Sequence, residues 1–354
     1  MLEITSYLHK YPVHIFESLE EAFKDLPANC FFLIDQNVFN LYGTDLKNIL
    51  QVEPINSILV SATEENKSYE NIGPILNELV KRNLKKNRTL VVIGGGVVQD
   101  IGCFIAHIYR RGLRWELFPT TLLAQSDSCI GSKSSVNIGP AKNQLGTFYP
   151  PHKVGIALPF LKTLTPADIH SGIGEIIKLA LIDGAKTWAH TQVLLSQVDQ
   201  GKISLRELLE QSLRIKKTFI EADEFDGGIR NVLNYGHTFG HAFETASKYS
   251  IPHGIAVLIG VQTATFFSES LNLVPKESYA QLMNASKKYV QPFDTHLRAL
   301  KTEAVLEAFK SDKKNIGDKI RFVLPQASLC GNIQITPLDL QTAAPILEKF
   351  LKQY

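Results

Sequence analysis

Three histidines in the segment 231–254 are the residues of this chain best suited to bind a metal ion. His237 and His241 are four residues apart, so on a helix both side chains lie on one face. His253 follows Pro252, where a new helix can begin. Imidazole nitrogens bind Zn²⁺ and also transfer protons. The segment therefore predicts a site shared by two helices or, more simply, histidines at helical spacing on a surface or in a core.

An acid and a base lie in the apolar segment GIGEIIKLALI, three residues apart at Glu175 and Lys178. Buried charges cost free energy unless they are paired or bind a ligand, so the two form either a structural ion pair or part of a site. Glu175 with His237 and His253 would give the two imidazoles and one carboxylate of a catalytic zinc site with an open position. The open position could bind adjacent hydroxyls of a polyol. His241 would then lie beside the metal and suit proton transfer.

A glycine turn in the first half of the chain is typical of phosphate binding. The predicted strand 89–93 runs into glycines 94–96, and a helix is predicted at 97–109. Glycines allow close approach of a ligand, and the helix N-terminus offers free N–H groups, although such a turn can also be only a tight turn. Asp100 interrupts an otherwise apolar helix, which favours a dipole or ligand role. Asp35 ends another predicted strand, where a ribose could be held.

The segment 119–150 is rich in glycine and serine but also carries apolar residues. Asp127, Lys133, Lys142 and Asn143 are spread among them. Cations and amides held by apolar neighbours suit a pocket for an anionic, hydroxylated ligand. The alternative is a surface loop whose lysines extend into solvent.

The elements that must position these residues fall into two halves. At 354 residues the chain is long enough for two domains. The first half alternates apolar strands with helical patterns, which is typical of a mostly parallel α/β sheet. From Pro166 onward the pattern is helical, apart from a predicted hairpin at 319–337 and a last helix at 338–352. We therefore predict an α/β domain at 1–159 and a mainly helical domain at 160–354.

Composition and charge exclude several classes of function. Lys and Arg number 37 against 35 Asp and Glu, a net charge of +2, and no basic cluster predicts a nucleic-acid or membrane surface. The sequence shows neither a signal peptide nor an apolar stretch long enough to span a membrane. The four cysteines are widely spaced and fit a reducing compartment. We expect a cytoplasmic protein without nucleic-acid or membrane partners.

Eight motifs together resemble the 3-dehydroquinate synthase family of sugar phosphate cyclases, over about residues 35–325. They are, in order, GGGVVQD, YRRG, PTTLLAQSDSCIGSK, KNQLGTFYPP, GIGEIIK, RNVLNYGHTFGHAFE, PHG and DKK. The resemblance implies a dehydroquinate synthase-like fold: a Rossmann-like NAD-binding α/β domain with a mostly parallel sheet, and an all-α C-terminal domain that binds the metal. It also implies a homodimer.

The resemblance also implies roles for individual residues. The implied zinc ligands, which could also bind Co²⁺, are Glu175, His237 and His253. The residues implied around NAD are Asp35, Asn37, Glu64, Lys67, Gly95, Gly96, Asp100, Thr120, Thr121, Asp127, Lys133, Lys142 and Thr163. Those implied in catalysis are Lys133, Lys178, Lys216, Arg230, Asn234 and His241. Those implied in substrate binding are Arg111, Asp127, Asn143, Lys313 and Lys314, with Arg111 close to the neighbouring subunit's site.

The implied reaction converts 3-deoxy-arabino-heptulosonate 7-phosphate to 3-dehydroquinate and phosphate in the shikimate pathway. NAD is transiently reduced, phosphate is eliminated, the hydride is returned, and an intramolecular aldol reaction closes the carbocycle. NAD is thus restored in each turnover and acts as a catalytic cofactor.

Three departures from the family pattern bear on the substrate. Ile255 stands where the family normally has Glu, and Ser132 and Gln99 stand where glycine is usual. They leave open a 2-deoxy-scyllo-inosose synthase or a sedoheptulose 7-phosphate cyclase, although Asn234, His241 and Arg230 together favour the dehydroquinate reaction. A metal-dependent polyol dehydrogenase would give the site's cations no task. A non-catalytic sugar-phosphate-binding protein would be expected to lose a zinc ligand, and none is lost.

Overall fold

The computed structural model describes residues 1–139, 141–310 and 319–354, and these form two compact units. The first unit contains Met1–Leu164 and Lys216–Phe225, and the second contains Thr165–Ile215 and Asp226–Tyr354. The boundary predicted from the sequence, at residue 159, lies five residues before Leu164. The prediction did not assign Lys216–Phe225 to the first unit. The predicted substrate residues Lys313 and Lys314 lie outside the described residues.

A seven-stranded sheet organises the first unit. The strands of this unit are β1 (Leu2–Thr5), β2 (Lys10–Phe16), β3 (Cys30–Asp35), β4 (Ser57–Val60), β5 (Thr89–Gly94), β6 (Arg114–Pro119), β7 (Val136–Ile138), β8 (Ala141–Leu145) and β9 (Lys153–Ala157). The sheet order is β1-β2-β9-β6-β5-β3-β4, with β7 and β8 forming a separate hairpin. Every neighbouring pair in the sheet is parallel except β1 with β2. This confirms the predicted mostly parallel sheet.

The apolar composition of the central strands explains why they lie inside. Every residue of β3 and β5 is buried, as expected for parallel strands covered on both faces. The helices of this unit are α1 (Leu19–Phe23), α2 (Gln36–Leu50), α3 (Tyr69–Lys81) and α4 (Gly96–Ile108). Phe32, Ile93 and Phe118 belong to one buried core cluster. Helix α4 starts at the glycine turn, so the turn is fixed between the end of β5 and the first turn of α4.

Among its described residues, the second unit is helical except for one hairpin, which the sequence pattern predicted. Its elements are α5 (Pro166–Asp183), α6 (Ala185–Asp199), the first part of α7 (Arg206–Ala222), α8 (His237–Ala246), α9 (His253–Ser270), α10 (Ser278–Val290), α11 (Asp294–Arg298), α12 (Thr302–Lys310), β10 (Lys319–Pro325), β11 (Ile333–Asp339) and α13 (Leu340–Leu351). Strands β10 and β11 pair antiparallel. Within the described ranges, no helix is both long and apolar enough to cross a membrane.

Helix α9 is the central helix of this unit and is buried over residues 254–265. It packs against α5 and α8, and glycines bring the backbones into contact. A Cβ on Gly254 would lie 1.9 Å from the Ser171 carbonyl oxygen of α5, and one on Gly260 would lie 2.0 Å from the Gly236 carbonyl oxygen. The first turn of α9, which begins at His253, is therefore held against α5.

Candidate functional site

Three side chains from three helices of the second unit converge on one point. The Glu175 Oε1 atom lies 3.6 Å from Nε2 of His237 and 3.5 Å from Nε2 of His253. These separations exceed those of ordinary hydrogen bonds. They are close to the roughly 3.3 Å between two ligands of a tetrahedral zinc ion with bonds of about 2.0–2.1 Å. The donor set and its spacing therefore fit a bound divalent cation.

The outer nitrogen of each imidazole contacts an acceptor, which directs Nε2 toward Glu175. Nδ1 of His237 lies 3.4 Å from the Tyr235 carbonyl oxygen. Nδ1 of His253 lies 3.3 Å from Oε2 of Glu244. Such partners fix the orientation and tautomer of metal-binding histidines. Glu244 was not predicted from the sequence, although it lies seven residues after His237, two helical turns along the same face of α8.

Electrostatics keep the Glu175 carboxylate ionised. Burial raises the pKa of this carboxyl, but the Lys178 ammonium and His253 outweigh burial and lower the pKa to about 2. Lys178 Nζ lies 2.5 Å from Oε2 of Glu175, and both side chains are almost fully buried. This ion pair occupies Oε2 and leaves Oε1 facing the histidines. Burial lowers the pKa of His253, but Glu175 and Glu244 raise it overall, so the site stabilises positive charge at this imidazole.

His241 lies next to the cluster but differs from it in exposure. Its ring is 5.4 Å from the ring of His237 and 5.7 Å from that of His253, and the side chain is exposed. Ring nitrogens of the three histidines lie within 4.8 Å of one another, so three imidazoles could also share an ion. Glu175 is the better third ligand because its buried carboxylate faces both other imidazoles. The prediction that His241 does not bind the metal stays a prediction.

Two further predicted residues lie on the short helical turn Ile229–Asn234, which comes just before α8. Arg230 is 8% exposed. Asn234 donates from Nδ2 to the Asn231 carbonyl oxygen at 3.1 Å. The structure therefore places both residues in the same unit as Glu175, His237 and His253.

In the first unit, Lys67 connects several of the residues predicted to surround NAD. Its Nζ lies 3.3 Å from Oδ2 of Asp100, 3.3 Å from Oε1 of Glu64 and 3.2 Å from Oδ1 of Asn143. Lys142 Nζ lies 4.0 Å from the same Glu64 oxygen. The structure thus brings five predicted residues together, which we call the Lys67 cluster.

Ser135, which was not predicted as a site residue, completes the surroundings of Asp100. Its N–H donates to Oδ1 at 3.2 Å and its hydroxyl donates to Oδ2 at 2.9 Å. Burial raises the pKa of the Asp100 carboxyl, and Lys67 and Ser135 offset part of that rise. Ser135 and Asp100 are 35 residues apart in sequence and meet only because the segment before β7 lies against α4. No local sequence signal therefore predicted this contact.

The glycine turn packs directly on the segment after β6. Gly95 caps α4, and a Cβ there would lie 2.8 Å from Cγ2 of Thr121. Thr120 donates its N–H to the Gly94 carbonyl oxygen at 3.1 Å. The first N–H groups of α4, which begins at Gly96, therefore emerge beside both predicted threonines, in a form suited to an anion such as phosphate.

Two side chains, those of Lys216 and Gln99, hold the short π-helix Ala124–Ser128, which carries Asp127. Lys216 Nζ lies 2.8 Å from Oδ1 of Asp127 and donates to its carbonyl oxygen at 2.6 Å. Gln99 Nε2 donates to the Ser128 carbonyl oxygen at 2.6 Å, and the Ser128 hydroxyl donates back to Gln99 Oε1 at 2.9 Å. Gln99, which stands where the family usually has glycine, therefore connects α4 to the π-helix that carries Asp127.

The remaining predicted residues of the first unit make their contacts elsewhere. Asp35 caps α2, accepting the N–H of Asn37 at 2.8 Å, and burial raises the pKa of its carboxyl. Thr163 Oγ1 lies 3.0 Å from the Tyr42 hydroxyl. Lys133 and Arg111 are exposed.

Comparison with known proteins gives consistent matches over both halves of the chain. Residues 57–171 match the family described as 3-dehydroquinate synthase N-terminal, and residues 172–315 match the family described as 3-dehydroquinate synthase C-terminal. A 3-dehydroquinate synthase of Streptococcus equi subsp. equi (strain 4047) is 32% identical over 330 residues, which are 92% of this chain and 91% of that protein.

Two solved structures show the same fold. One is 2-deoxy-scyllo-inosose synthase complexed with carbaglucose-6-phosphate, NAD⁺ and Co²⁺, with a TM-score of 0.83 at 20% identity, covering 98% of this chain and 99% of that one. The other is 2-epi-5-epi-valiolone synthase from Streptomyces hygroscopicus subsp. jinggangensis 5008 with NAD⁺ and Zn²⁺ bound, with a TM-score of 0.81 at 23% identity, covering 100% and 99%.

Proposed function

The chain belongs to the 3-dehydroquinate synthase family, and we propose that it converts 3-deoxy-arabino-heptulosonate 7-phosphate to 3-dehydroquinate and phosphate. The enzyme is then a lyase that uses NAD as a catalytic cofactor and a bound Zn²⁺ or Co²⁺ ion. The observation that carries this proposal is the convergence of two imidazoles on the buried Glu175 carboxylate at 3.5 and 3.6 Å.

In this proposal Glu175, His237 and His253 hold the metal ion. The ion supplies Lewis acidity, which lowers the pKa of substrate hydroxyls that bind to it. Lys178 holds Glu175 in its ionised form through the 2.5 Å contact to Oε2, so Oε1 is kept as a ligand. His241, exposed beside the cluster, is positioned to transfer a proton to or from the bound substrate.

The residues proposed around NAD belong to the first unit. The N-terminus of α4 with Gly95 and Gly96 binds the pyrophosphate, because its N–H groups and dipole favour an anion. The Lys67 cluster offers the hydroxyls of the cofactor both cationic and anionic partners within one connected group. Bound NAD would supply reversible hydride-acceptor chemistry, and the protein contributes binding and orientation.

The substrate carries a phosphate and a carboxylate, and the proposed partners are cations. These cations are Lys133, Lys178, Lys216 and Arg230. Arg230 is almost fully buried, and a buried guanidinium favours a pairing with an anion. A sugar phosphate offers these cations anionic groups that a neutral polyol lacks, which argues for a sugar phosphate over a simple alcohol.

The proposal also includes a cytoplasmic homodimer in which Arg111 reaches the neighbouring subunit's site. Arg111 is exposed in this chain and adopts a left-handed backbone conformation with φ of 59°. Sedimentation or light scattering tests the dimer, and Arg111→Ala should reduce turnover while leaving metal binding unchanged. A monomer with full activity would overturn this part.

A substrate panel tests the function. The purified protein is incubated with NAD, Zn²⁺ and, separately, 3-deoxy-arabino-heptulosonate 7-phosphate, sedoheptulose 7-phosphate and glucose 6-phosphate. Phosphate release, net NADH and product mass are measured. We expect phosphate and a product with the mass of 3-dehydroquinate from the first compound only, without net NADH. Turnover of another compound instead would replace the substrate, and net NADH without phosphate would indicate a dehydrogenase.

A metal-binding measurement tests the ligand set separately. His237→Ala should lose both stoichiometric zinc and activity. Retention of stoichiometric metal by this variant would refute the assignment of His237.

A further inference from the structure

We propose that Glu244 is a positioning residue for the metal ion, holding the His253 ring so that Nε2 faces Glu175 and His237. The inference rests on the proposed metal site and goes beyond it, because Glu244 belongs to neither the ligand set nor the substrate set. It concerns the affinity of the protein for the ion.

The contact is geometrically suited to this role. Nδ1 of His253 lies 3.4 Å from Oε1 and 3.3 Å from Oε2 of Glu244, so the carboxylate faces the nitrogen with both oxygens. Glu244 is well shielded, with 14% of its side chain exposed, whereas 37% of the His253 side chain is exposed. A proton on Nδ1 directed at this carboxylate leaves the lone pair of Nε2 for the metal.

Helix packing fixes the distance between Glu244 and His253. His237 and Glu244 are seven residues apart on α8, so one helix face carries a ligand and the positioning carboxylate. Helices α8 and α9 are in backbone contact, since a Cβ on Gly240 would lie 3.0 Å from the Ala256 carbonyl oxygen. Because α9 begins at His253, this contact also sets where the imidazole meets α8.

The neighbouring residue on α9 cannot supply an acid to His253. The position after His253-Gly254 is Ile255, which is fully buried in this chain. The carboxylate beside His253 therefore comes from the facing helix α8.

Charge balance explains why a carboxylate favours the bound ion. Lys178 contacts the carboxylate of Glu175, whereas the carboxylate of Glu244 faces Nδ1 of His253. The Glu244 carboxylate beside His253 favours a divalent cation in a shielded place, where charges interact more strongly than in water. The acceptor beside Nδ1 of His237 is the neutral Tyr235 carbonyl. That acceptor does not make up for the negative charge that is lost when Glu244 is replaced.

Zinc affinity, measured by competition with a chromogenic chelator, tests the proposal. Glu244→Ala should bind zinc about 10- to 100-fold more weakly than the unaltered protein, the range typical for such outer partners. Glu244→Gln keeps an acceptor oxygen but no charge and should show a smaller loss. Glu303→Gln makes the same chemical change at an exposed position in the first turn of α12 and should leave the affinity unchanged.

The visible absorption of bound Co²⁺ gives a second readout that a purely structural role would not change. We expect an altered spectrum in Glu244→Ala, because the His253 ring is no longer held in place. Circular dichroism of the metal-free variants checks the fold, and Glu244→Gln keeps the test valid if the alanine variant does not fold.

The outcomes separate this inference from the proposed function. Unchanged zinc affinity and Co²⁺ spectrum in both Glu244 variants, with loss of metal in His237→Ala, would refute the role of Glu244 alone. Retention of metal by His237→Ala would refute the ligand set, and the inference with it.

Discussion

The substitution Gly254→Ala tests whether close helix packing builds the metal site. Gly254 follows the proposed ligand His253 in the first turn of α9. Its backbone N–H donates to the Ser171 hydroxyl at 3.0 Å, which ties this turn to α5. A Cβ at this position would lie 1.9 Å from the Ser171 carbonyl oxygen of α5. Backbone cannot yield as the end of a flexible side chain can, so α5 and α9 must move apart.

The size of that movement follows from the contact distances. Real Cβ atoms essentially never approach another heavy atom within 3.0 Å, so relief needs about 1.1 Å, the difference between 3.0 and 1.9 Å. Added to the 3.5 Å between Oε1 of Glu175 and Nε2 of His253, this gives up to about 4.6 Å. Two ligands on opposite sides of one zinc ion are at most roughly 4.3 Å apart. The carboxylate and the imidazole could then no longer bind one ion together.

Zinc affinity and thermal unfolding of the metal-free protein measure the two consequences. We expect weaker zinc binding together with a loss of about 1–3 kcal/mol in the free energy of unfolding, which is typical of overpacking. Gly43→Ala is the matched control, because its Cβ would meet the Phe39 ring at an ordinary 3.6 Å. Unchanged zinc affinity in a folded Gly254→Ala protein would refute the reasoning, since the site would then not depend on the α5–α9 contact.

Three further substitutions test other parts of the structure. Phe239→Ala removes a buried ring that stacks on the Phe322 ring of β10 and should lower the free energy of unfolding by about 3–5 kcal/mol. A loss below about 1 kcal/mol in denaturant titration would contradict the role of Phe239 in the core. Gln99→Gly removes both hydrogen bonds to Ser128 and should raise the Kd for NAD in calorimetry; an unchanged Kd would separate this contact from cofactor binding. Burial lowers the pKa of His152 to about 4, with help from neighbouring positive groups, and its Nδ1 accepts the backbone N–H of Trp115. The pKa of His152 in the folded protein lies below the ordinary 6.5, so the free energy of unfolding should be fully retained above pH 6.5 and fall as the pH drops toward 4. His152→Gln should make this fall less steep when the free energy of unfolding is measured against pH. An equally steep fall in the variant would contradict the prediction.

The main elements could be predicted because their signals are local. The apolar strands β3 and β5, the glycine turn before α4 and the apolar helix α9 each show their character in consecutive residues. Strands β1 and β2 were not predicted. The alternating burial in the segment KYPVHIF becomes meaningful only through its parallel pairing with β9, which is more than a hundred residues away in sequence.

The site could be predicted in part for the same reason. The spacing of His237 and His241 indicated one helix face, and an acid within an apolar helix marked Glu175 as unusual. The spacing of residues on α8 placed Glu244 on the same face as His237, but it could not show that its carboxylate contacts Nδ1 of His253, so Glu244 was not predicted. Spacing also could not show that Lys67 joins Asp100 to Asn143, because those residues belong to separate elements.

By itself, the sequence determined which residue types were available, which helices carried them and, through the combined motifs, the family. Only the tertiary structure decided that Oε1 of Glu175 faces both imidazoles while Oε2 pairs with Lys178. The physical reason is that this arrangement depends on where α5, α8 and α9 cross. The crossing is set by glycine contacts between backbones, such as that of Gly254 with Ser171, and no periodicity within one helix records it.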